Sequence, residues 1–539
     1  NYTQGGTGSQ QRTVTSKLQE SLSVKDFGAT GDGVTDDTTA ILAAIAYLGS
    51  NARSLLVTSP LKISSNITFN PNTQVVFVNG GKFVGTTGSE IVIFQRQPVA
   101  DIQQIFDNVD AYFTTDVTLS PEWFGAVKKM PTDDRQAFID ALYSIRNVGG
   151  LIQLQSGEYA VSDSISINYS NITIQGAGNN TTYVRVTGSN KNGIIINGVL
   201  GTPIRNTMLR DFSIILDTVA TSSCIGIYSY YSAFPIIERM QIHNFLKGLG
   251  MQGSTNSQIT KVGATYGGST NGFIGFDIYG GASGSSGGNP SSILKDCYSS
   301  GAVGLTGQIG FKIHGSYMSD IQFDTCETAK TNYGFQLDYG IAPNFNVDII
   351  IRNPIVDRYY LQGIIVQNLA SNGVLQIIGG YSNPDTTGSA AQNMYFDTCV
   401  GAINVIGHEF MALSNIIYTD GIFATSCTGM TIANNLFTKL NKGVKLTSCG
   451  YSVIVGNVFR GVNPSAFSKM VEVIGGARVM VNSNSFDGAT EGVVIDATSD
   501  GCGIVGNTAN VSTVATRFTN AGTNTIGGAT GSTGLNSGV

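Results

Sequence analysis

The feature that most constrains this chain is a phrase repeated at nearly constant intervals. Ile454-Val-Gly-Asn457-Val-Phe recurs as Ile432-Ala-Asn-Asn435-Leu-Phe, Val481-Asn-Ser-Asn484-Ser-Phe and Ile504-Val-Gly-Asn507, so the Asn marks are 22, 27 and 23 residues apart. Followed backwards, the position falls at His408, Gly380, Asn353, Asp324, Asp296, Val262, Arg239 and Asp211. A second phrase, Gly-apolar-x-apolar-x, occupies most intervals: Gly226, Gly275, Gly310, Gly334, Gly363, Gly443 and Gly492 each open one. Short period-two strands with no helix-length periodic run exclude helical repeats and predict a parallel β-solenoid. The Leu-x-x-Leu-x-Leu phrase of the leucine-rich alternative is missing. The expected architecture is an all-β, right-handed parallel β-helix of about a dozen coils. The Asn series reads as a structural ladder at a bend, where Asn tolerates the left-handed conformation and its amide reaches the next coil. Asp324, Asp296 and His408 are assigned to that ladder as well.

A solenoid grows in one dimension, so 539 residues need not divide into several globular domains. Charged residues make up 12% with a net charge of -6, which gives no reason to expect nucleic acid or an anionic membrane as partner. No apolar run is long enough for membrane insertion. Seven Cys is an odd number and speaks against a complete disulfide framework; Cys427 and Cys449, one coil apart, are expected to stack as free thiols. No Cys/His cluster appears, so neither metal nor cofactor is expected. The chain starts at Asn1 rather than Met, which suggests a missing N-terminal segment.

Residues 1–20 read as a connector. The run Val24-Lys-Asp-Phe-Gly-Ala-Thr-Gly-Asp-Gly-Val-Thr-Asp36-Asp37-Thr leads into the apolar stretch to Leu48, predicting a glycine turn and a helix from about Asp37, with Thr35 and Asp36 as N-cap and first-turn residues. This segment resembles the opening of the pectate-lyase-like β-helix in bacteriophage tailspike depolymerases, where it caps the open end of the solenoid. It returns at Glu122-Trp123-Phe124-Gly-Ala and Asp133-Asp134, with Phe27 matching Phe124, Asp36 matching Asp133 and Ala40 matching Ala137 at an offset of 97. The expected plan is therefore a small N-terminal β module with the first capping motif at 21–118, a β-helix catalytic domain at 119–515 that opens with a capping helix, and a Gly/Thr/Ser-rich tail at 516–539. The Gly280–Gly288 run reads as a surface excursion.

Outward positions of the Gly-apolar-x-apolar-x strands carry Tyr228, Tyr230, Asp277, Tyr279, Lys312, His314, Gln336 and Asp338 on neighbouring coils. Aromatic faces stack on pyranose rings, while carboxylates and amides bind hydroxyls. Preceding loops add Glu327 and Asp357-Arg358-Tyr359. Strand spacing places Glu327 and Asp357 about 4.8 Å apart and Asp277 and Asp338 about 9.6 Å apart. Both separations suit a glycosidase carboxylate pair once side-chain reach is counted. The catalytic candidates are thus Asp338, Glu327, Asp357 and Asp277, with Tyr228, Tyr230, Tyr279, Lys312, His314, Gln336, Arg358 and Tyr359 binding substrate.

The family resemblance implies a virion-tail homotrimer that binds and depolymerises a bacterial capsular or O-antigen polysaccharide and joins the phage tail or an adaptor through the segment before Asn1. It transfers no individual catalytic residue; the leading reading is glycosidic hydrolysis by the paired carboxylates named above, with two alternatives. One is a lyase using His314 or a Tyr as base and Lys312 or Arg358 against a uronate; the other is a non-catalytic adhesin or fibre.

Overall fold

The computed structural model describes residues 1–18, 20–50, 52–280, 291–315, 318–339, 348–385, 391–412, 419–461, 469–510 and 514–526. The chain is a right-handed parallel β-helix with two compact units: Asn1–Gly188 with Arg205–Ser213, and Ser189–Ile204 with Ile214–Val539.

In the first unit, three short parallel sheets surround an apolar centre. One contains Ser21–Ser23, Arg53–Val57, Thr73–Phe77 and Val99–Ala100; the others join Pro60–Ile63 to Lys82–Gly85 and Phe106–Asp107, and Ile67–Phe69 to Ile91–Phe94 and Asp110–Phe113. Alternation sends Leu55, Val57, Leu61, Ile63 and Ile67 inward, all at most 1% exposed. Phe69, Phe94 and Phe113 stack at 5.3 and 5.4 Å between ring centroids.

The 97-residue repeat extends to its hydrogen bonds. The turn Val24–Phe27 and helix Thr38–Leu48 match Pro121–Phe124 and Arg135–Ser144. The cap differs from the sequence expectation in who does what. The Asp36 carboxylate accepts from the Thr38 N–H at 3.0 Å, whereas Asp37, the N-cap by position, accepts from the N–H groups of Thr30 and Gly31. Thr35 serves the turn instead, donating to Asp32. In the second copy Asp133 accepts from the Arg135 N–H, and Asp134 from Val127 and Lys128. One acid starts the helix and the other pins the turn. Trp123 is 6% exposed and its indole N–H donates to the Asp101 carbonyl.

In the second unit one parallel sheet takes a strand from each coil: Ile225–Tyr230, Lys247–Gln252, Ile274–Gly280, Ile309–Gly315, Tyr333–Asp338 and Gln362–Gln367, continuing to Val514–Asn520. That last strand pairs with Ala489–Ile495, so the boundary drawn at 515/516 falls inside it. The other long sheet takes two strands per coil, such as Ile321–Asp324 and Glu327–Ala329, separated by a bend. The Gly-rich run from Gly281 and the tail from 527 lie outside the described residues.

At the bend, Asn435, Asn457, Asn484 and Asn507 form a buried ladder. Each Oδ1 accepts from the backbone N–H one coil back, and the Nδ2 groups of Asn435, Asn457 and Asn484 each donate to the next Oδ1, all at 2.8–2.9 Å. These asparagines are not left-handed. The residue before each is: Asn434, Gly456, Ser483 and Gly506 have φ of 56°, 67°, 52° and 62°. Strand register also moves the ladder elsewhere in the chain. His408 belongs to it, but Asp296 sits one position early, at a positive φ, and Asp324 two positions early, so Cys297 and Cys326 fill the ladder there. All seven cysteines are free and buried.

Candidate functional site

The strands that carry Tyr228, Asp277, Lys312 and Gln336 stack in register, with Tyr230, Tyr279, His314 and Asp338 in the next outward row. At their centre the Asp277 side chain is only 9% exposed, and its carboxylate accepts from Lys247 Nζ at 2.5 Å and His314 Nε2 at 2.7 Å. Burial works against its charge, yet the His314 hydrogen bond and Lys247 outweigh burial and bring the carboxyl down to about 2. Asp277 is thus a carboxylate that orients an imidazole and not an acid that gives up a proton. The Tyr279 ring lies 5.0 Å from His314. Tyr228 and Tyr230 stack at 5.6 Å, and the Tyr228 hydroxyl donates to Gln252 Oε1 at 2.7 Å. Burial, then Tyr230 and Asp277, push the Tyr228 phenol up to about 12, which keeps it protonated at neutral pH.

Lys247 was not among the sequence candidates. It stands at the start of its strand, just before the Gly-apolar phrase, where a basic residue looks like an ordinary solvated end. Gln252 and Tyr231 are further additions; Tyr231 lies edge-on to Tyr230 with centroids 4.4 Å apart. Asp338 accepts from Asn368 Nδ2 at 3.1 Å. It lies two strands from Asp277 and two residues further along, which stretches the expected separation to about 12 Å between backbones.

Glu327 and Asp357 lie in strands, not in loops, and on the other long sheet. Glu327 is in register with Ile355 and Ala329 with Asp357, so the two acids are diagonal neighbours on adjacent strands. Burial, then the negative charge of Asp357, raise the Glu327 carboxyl above its ordinary value. The Glu327 row continues as Tyr298 on one side and Ile355, Tyr381 and Glu409 on the other. Burial followed by the charges of Asp357 and Glu327 also raises the Tyr381 phenol above its ordinary value. Asn383 donates to Asp357 at 3.3 Å.

Tyr359 is a correction. It is fully buried, because the pairing of its strand shifts between Asp357 and Tyr359 and Arg358 takes a positive φ of 52°, turning the ring into the core. Arg358 is exposed and approaches Asp357 at 3.6 Å. Lys312 and Gln336 stay on the outward face in register with Asp277. Among the described residues, no group of three or more His, Cys, Asp or Glu side chains is placed to hold a metal ion.

Residues 21–94, which include the capping phrase, match the family model for rhamnogalacturonase A/epimerase, pectate lyase-like. Residues 390–534 match that for the periplasmic copper-binding protein NosD. A comparison with curated protein sequences finds no match. Among solved structures, the pre-mature bacteriophage phi29 gene product 12 is similar over 78% of this chain and 58% of its own, at 13% identity and a TM-score of 0.58. The A-module of Azotobacter vinelandii mannuronan C-5 epimerase AlgE6 is similar over 72% of this chain and 99% of its own, at 16% identity and a TM-score of 0.48. The gp42 tailspike of Acinetobacter phage vb_AbaP_AS12 is similar over 57% of this chain and 62% of its own, at 16% identity and a TM-score of 0.41. The pectate-lyase-like match and the similarity to the phi29 gene product agree with the parallel β-helix described above.

Proposed function

We propose that the chain is a polysaccharide depolymerase of the phage tailspike type, which hydrolyses a bacterial surface glycan with Glu327 as general acid and Asp357 as the ionised partner. The observation that carries this reading is the diagonal Glu327–Asp357 pair, in which burial and Asp357 hold Glu327 protonated to higher pH. Adjacent strands offset by two residues separate the backbones by about 8 Å, a spacing from which two acidic side chains can reach the carboxyl separation of an inverting pair. Glu327 protonates the glycosidic oxygen, and Asp357 takes a proton from the water that attacks the anomeric carbon. Tyr298, next to Glu327 in its row, and Tyr381, one strand beyond Ile355 on the other side, hold the pyranose rings.

A second reading, elimination, is favoured by the Lys247–Asp277–His314 arrangement. A His held on one nitrogen by a carboxylate is suited to abstract a proton next to a uronate carboxylate, with Lys312 beside it in the sheet and a neighbouring tyrosine protonating the leaving oxygen. Serotyped capsular polysaccharides treated with wild type, Glu327→Gln and His314→Ala separate the readings. New reducing ends without unsaturated-uronate absorbance, lost in Glu327→Gln alone, support hydrolysis. Absorbance lost in His314→Ala supports elimination. Binding without either product means an adhesin. The virion-tail setting, attachment to the phage tail or an adaptor, and a homotrimer belong to the same proposal; a stable monomer in light scattering at micromolar concentration contradicts the trimer.

A further inference from the structure

Backbone strain marks one corner of the second unit. Among the described non-glycine residues with positive φ, most are small, polar or basic, and only three are aromatic: Tyr231 at 41°, Phe234 at 58° and Tyr451 at 50°. Bulky side chains are disfavoured there, because the Cβ crowds the following carbonyl. Two of the three are separated by two residues. Phe234 is followed by Pro235, which restricts its backbone further, and it is nevertheless 47% exposed. An exposed ring gains little from the core, so folding alone gives no reason to place Phe at this bend. In other coils the bend of Tyr231 is filled by Gly253, Asn368, Thr398 and Ser426, and that of Phe234 by Asn256, Ser291 and Gly429; the third aromatic, Tyr451, shares the bend of Phe234 but has its hydroxyl and ring engaged by Arg478.

The corner is continuous with the polar cluster described above. Tyr231 lies 4.4 Å from Tyr230, which stacks on Tyr228 at 5.6 Å; the Tyr228 hydroxyl bonds Gln252. Tyr279 and its neighbour His314 continue the row of Tyr230 and Gln252 across the next two strands. Aromatic faces beside an amide, a carboxylate and an imidazole offer both halves of sugar recognition: a surface for the C–H face of a pyranose and partners for its hydroxyls.

We propose that Tyr230, Tyr231 and Phe234 form a platform that binds consecutive hexopyranose units of the polysaccharide, at the cost of local backbone strain. The inference rests on the reading of the chain as a polysaccharide-binding protein, but not on which bond is cut. Strain retained for binding has a signature that packing lacks: its relief stabilises the fold while it weakens the ligand.

The test uses Tyr231→Asn, Phe234→Asn and the double variant of the full chain, with Lys261→Asn as control. Lys261 also has a positive φ, 55°, but lies on the other long sheet. Melting temperature, oligomeric state and binding to immobilised purified capsular and O-antigen polysaccharides are measured. The expected result is a melting temperature unchanged or raised by about 1–3 °C in all variants. Affinity should be about tenfold weaker for each platform substitution and unchanged for Lys261→Asn. Wild-type affinity in the double variant overturns the platform, as does a fall in melting temperature with it, or a changed oligomeric state, which would make the corner a subunit contact. A wild type that binds a glycan without cleaving it refutes the depolymerase but leaves the platform to be judged by its variants. A wild type that binds none of the polysaccharides refutes both.

Discussion

Replacing Asp277 by Asn removes the charge at the centre of the Lys247–Asp277–His314 cluster while keeping its shape. The carboxyl falls from an ordinary 3.8 to about 2 in the folded chain, and at about 1.36 kcal/mol per pH unit that gap corresponds to about 2 kcal/mol of native-state stability. The side chain is only 9% exposed, so solvent screens little of it. The folded value is depressed, so this stability is fully present above the ordinary value and is lost as pH falls through about 2. The loss in the variant is expected to match or exceed 2 kcal/mol at pH 7, because Lys247 is left beside an amide that cannot neutralise it. Urea unfolding followed by far-UV circular dichroism from pH 7 to pH 2 checks both points. Wild type should be more stable at pH 7 and the difference should shrink between about pH 4 and pH 2. A difference that stays constant down to pH 2, or none at pH 7, would refute the ion-pair reasoning. Protonation of other carboxylates lowers both proteins alike, so only the difference between them is diagnostic.

For the second acid pair the sign is reversed. Asp357→Asn should lower turnover by about 10²- to 10⁴-fold and also removes the charge that helps hold Glu327 protonated, so the basic limb of the residual pH–rate profile should move to lower pH; an unmoved limb separates the two residues. Asn484→Ala strips partners from the Asn457 N–H and Nδ2 and from the Ile454 carbonyl, at about 1–3 kcal/mol for each buried group left unpaired, read as a lower urea midpoint. Asn484→Asp should also destabilise, because a carboxylate cannot donate to that carbonyl, while Asp296→Asn should leave stability and turnover unchanged, since Asn accepts its positive φ. Depolymerisation should survive EDTA, since the paired acids 36/37 and 133/134 are engaged with backbone N–H groups; loss restored by a single metal would refute this.

The solenoid was legible in the sequence because inward apolar residues and one recurring bend are local properties of every coil. The Gly-apolar-x-apolar-x strands kept their register for the same reason, and this brought Tyr228, Tyr230, Asp277, Tyr279 and His314 together as expected. Register on the other sheet was less legible, because the ladder position changes chemistry from Asn to His, Gly, Pro and Cys along the chain. A count that sought a polar residue slipped onto Asp296 and Asp324. Tyr359 went astray at an irregularity that strict alternation does not reveal. The clamp on Asp277 was hidden because its partners, Lys247 and His314, are 30 and 37 residues away in sequence and meet only across strands. Without them Asp277 read as an acid available for proton transfer.

The asparagine ladder has a consequence for how such a chain can vary. Its amide–amide bonds are all 2.9 Å, although successive partners are 22, 27 and 23 residues apart. Whatever length a coil gains is absorbed between bends, and the bend itself does not register it. The ladder therefore works as a fixed coordinate frame, with each of these four coils indexed by one amide. Insertions can lengthen the outer turns without disturbing the pairing of the coils above and below. Those turns can be remodelled freely, provided that the bend residue of each coil holds its place.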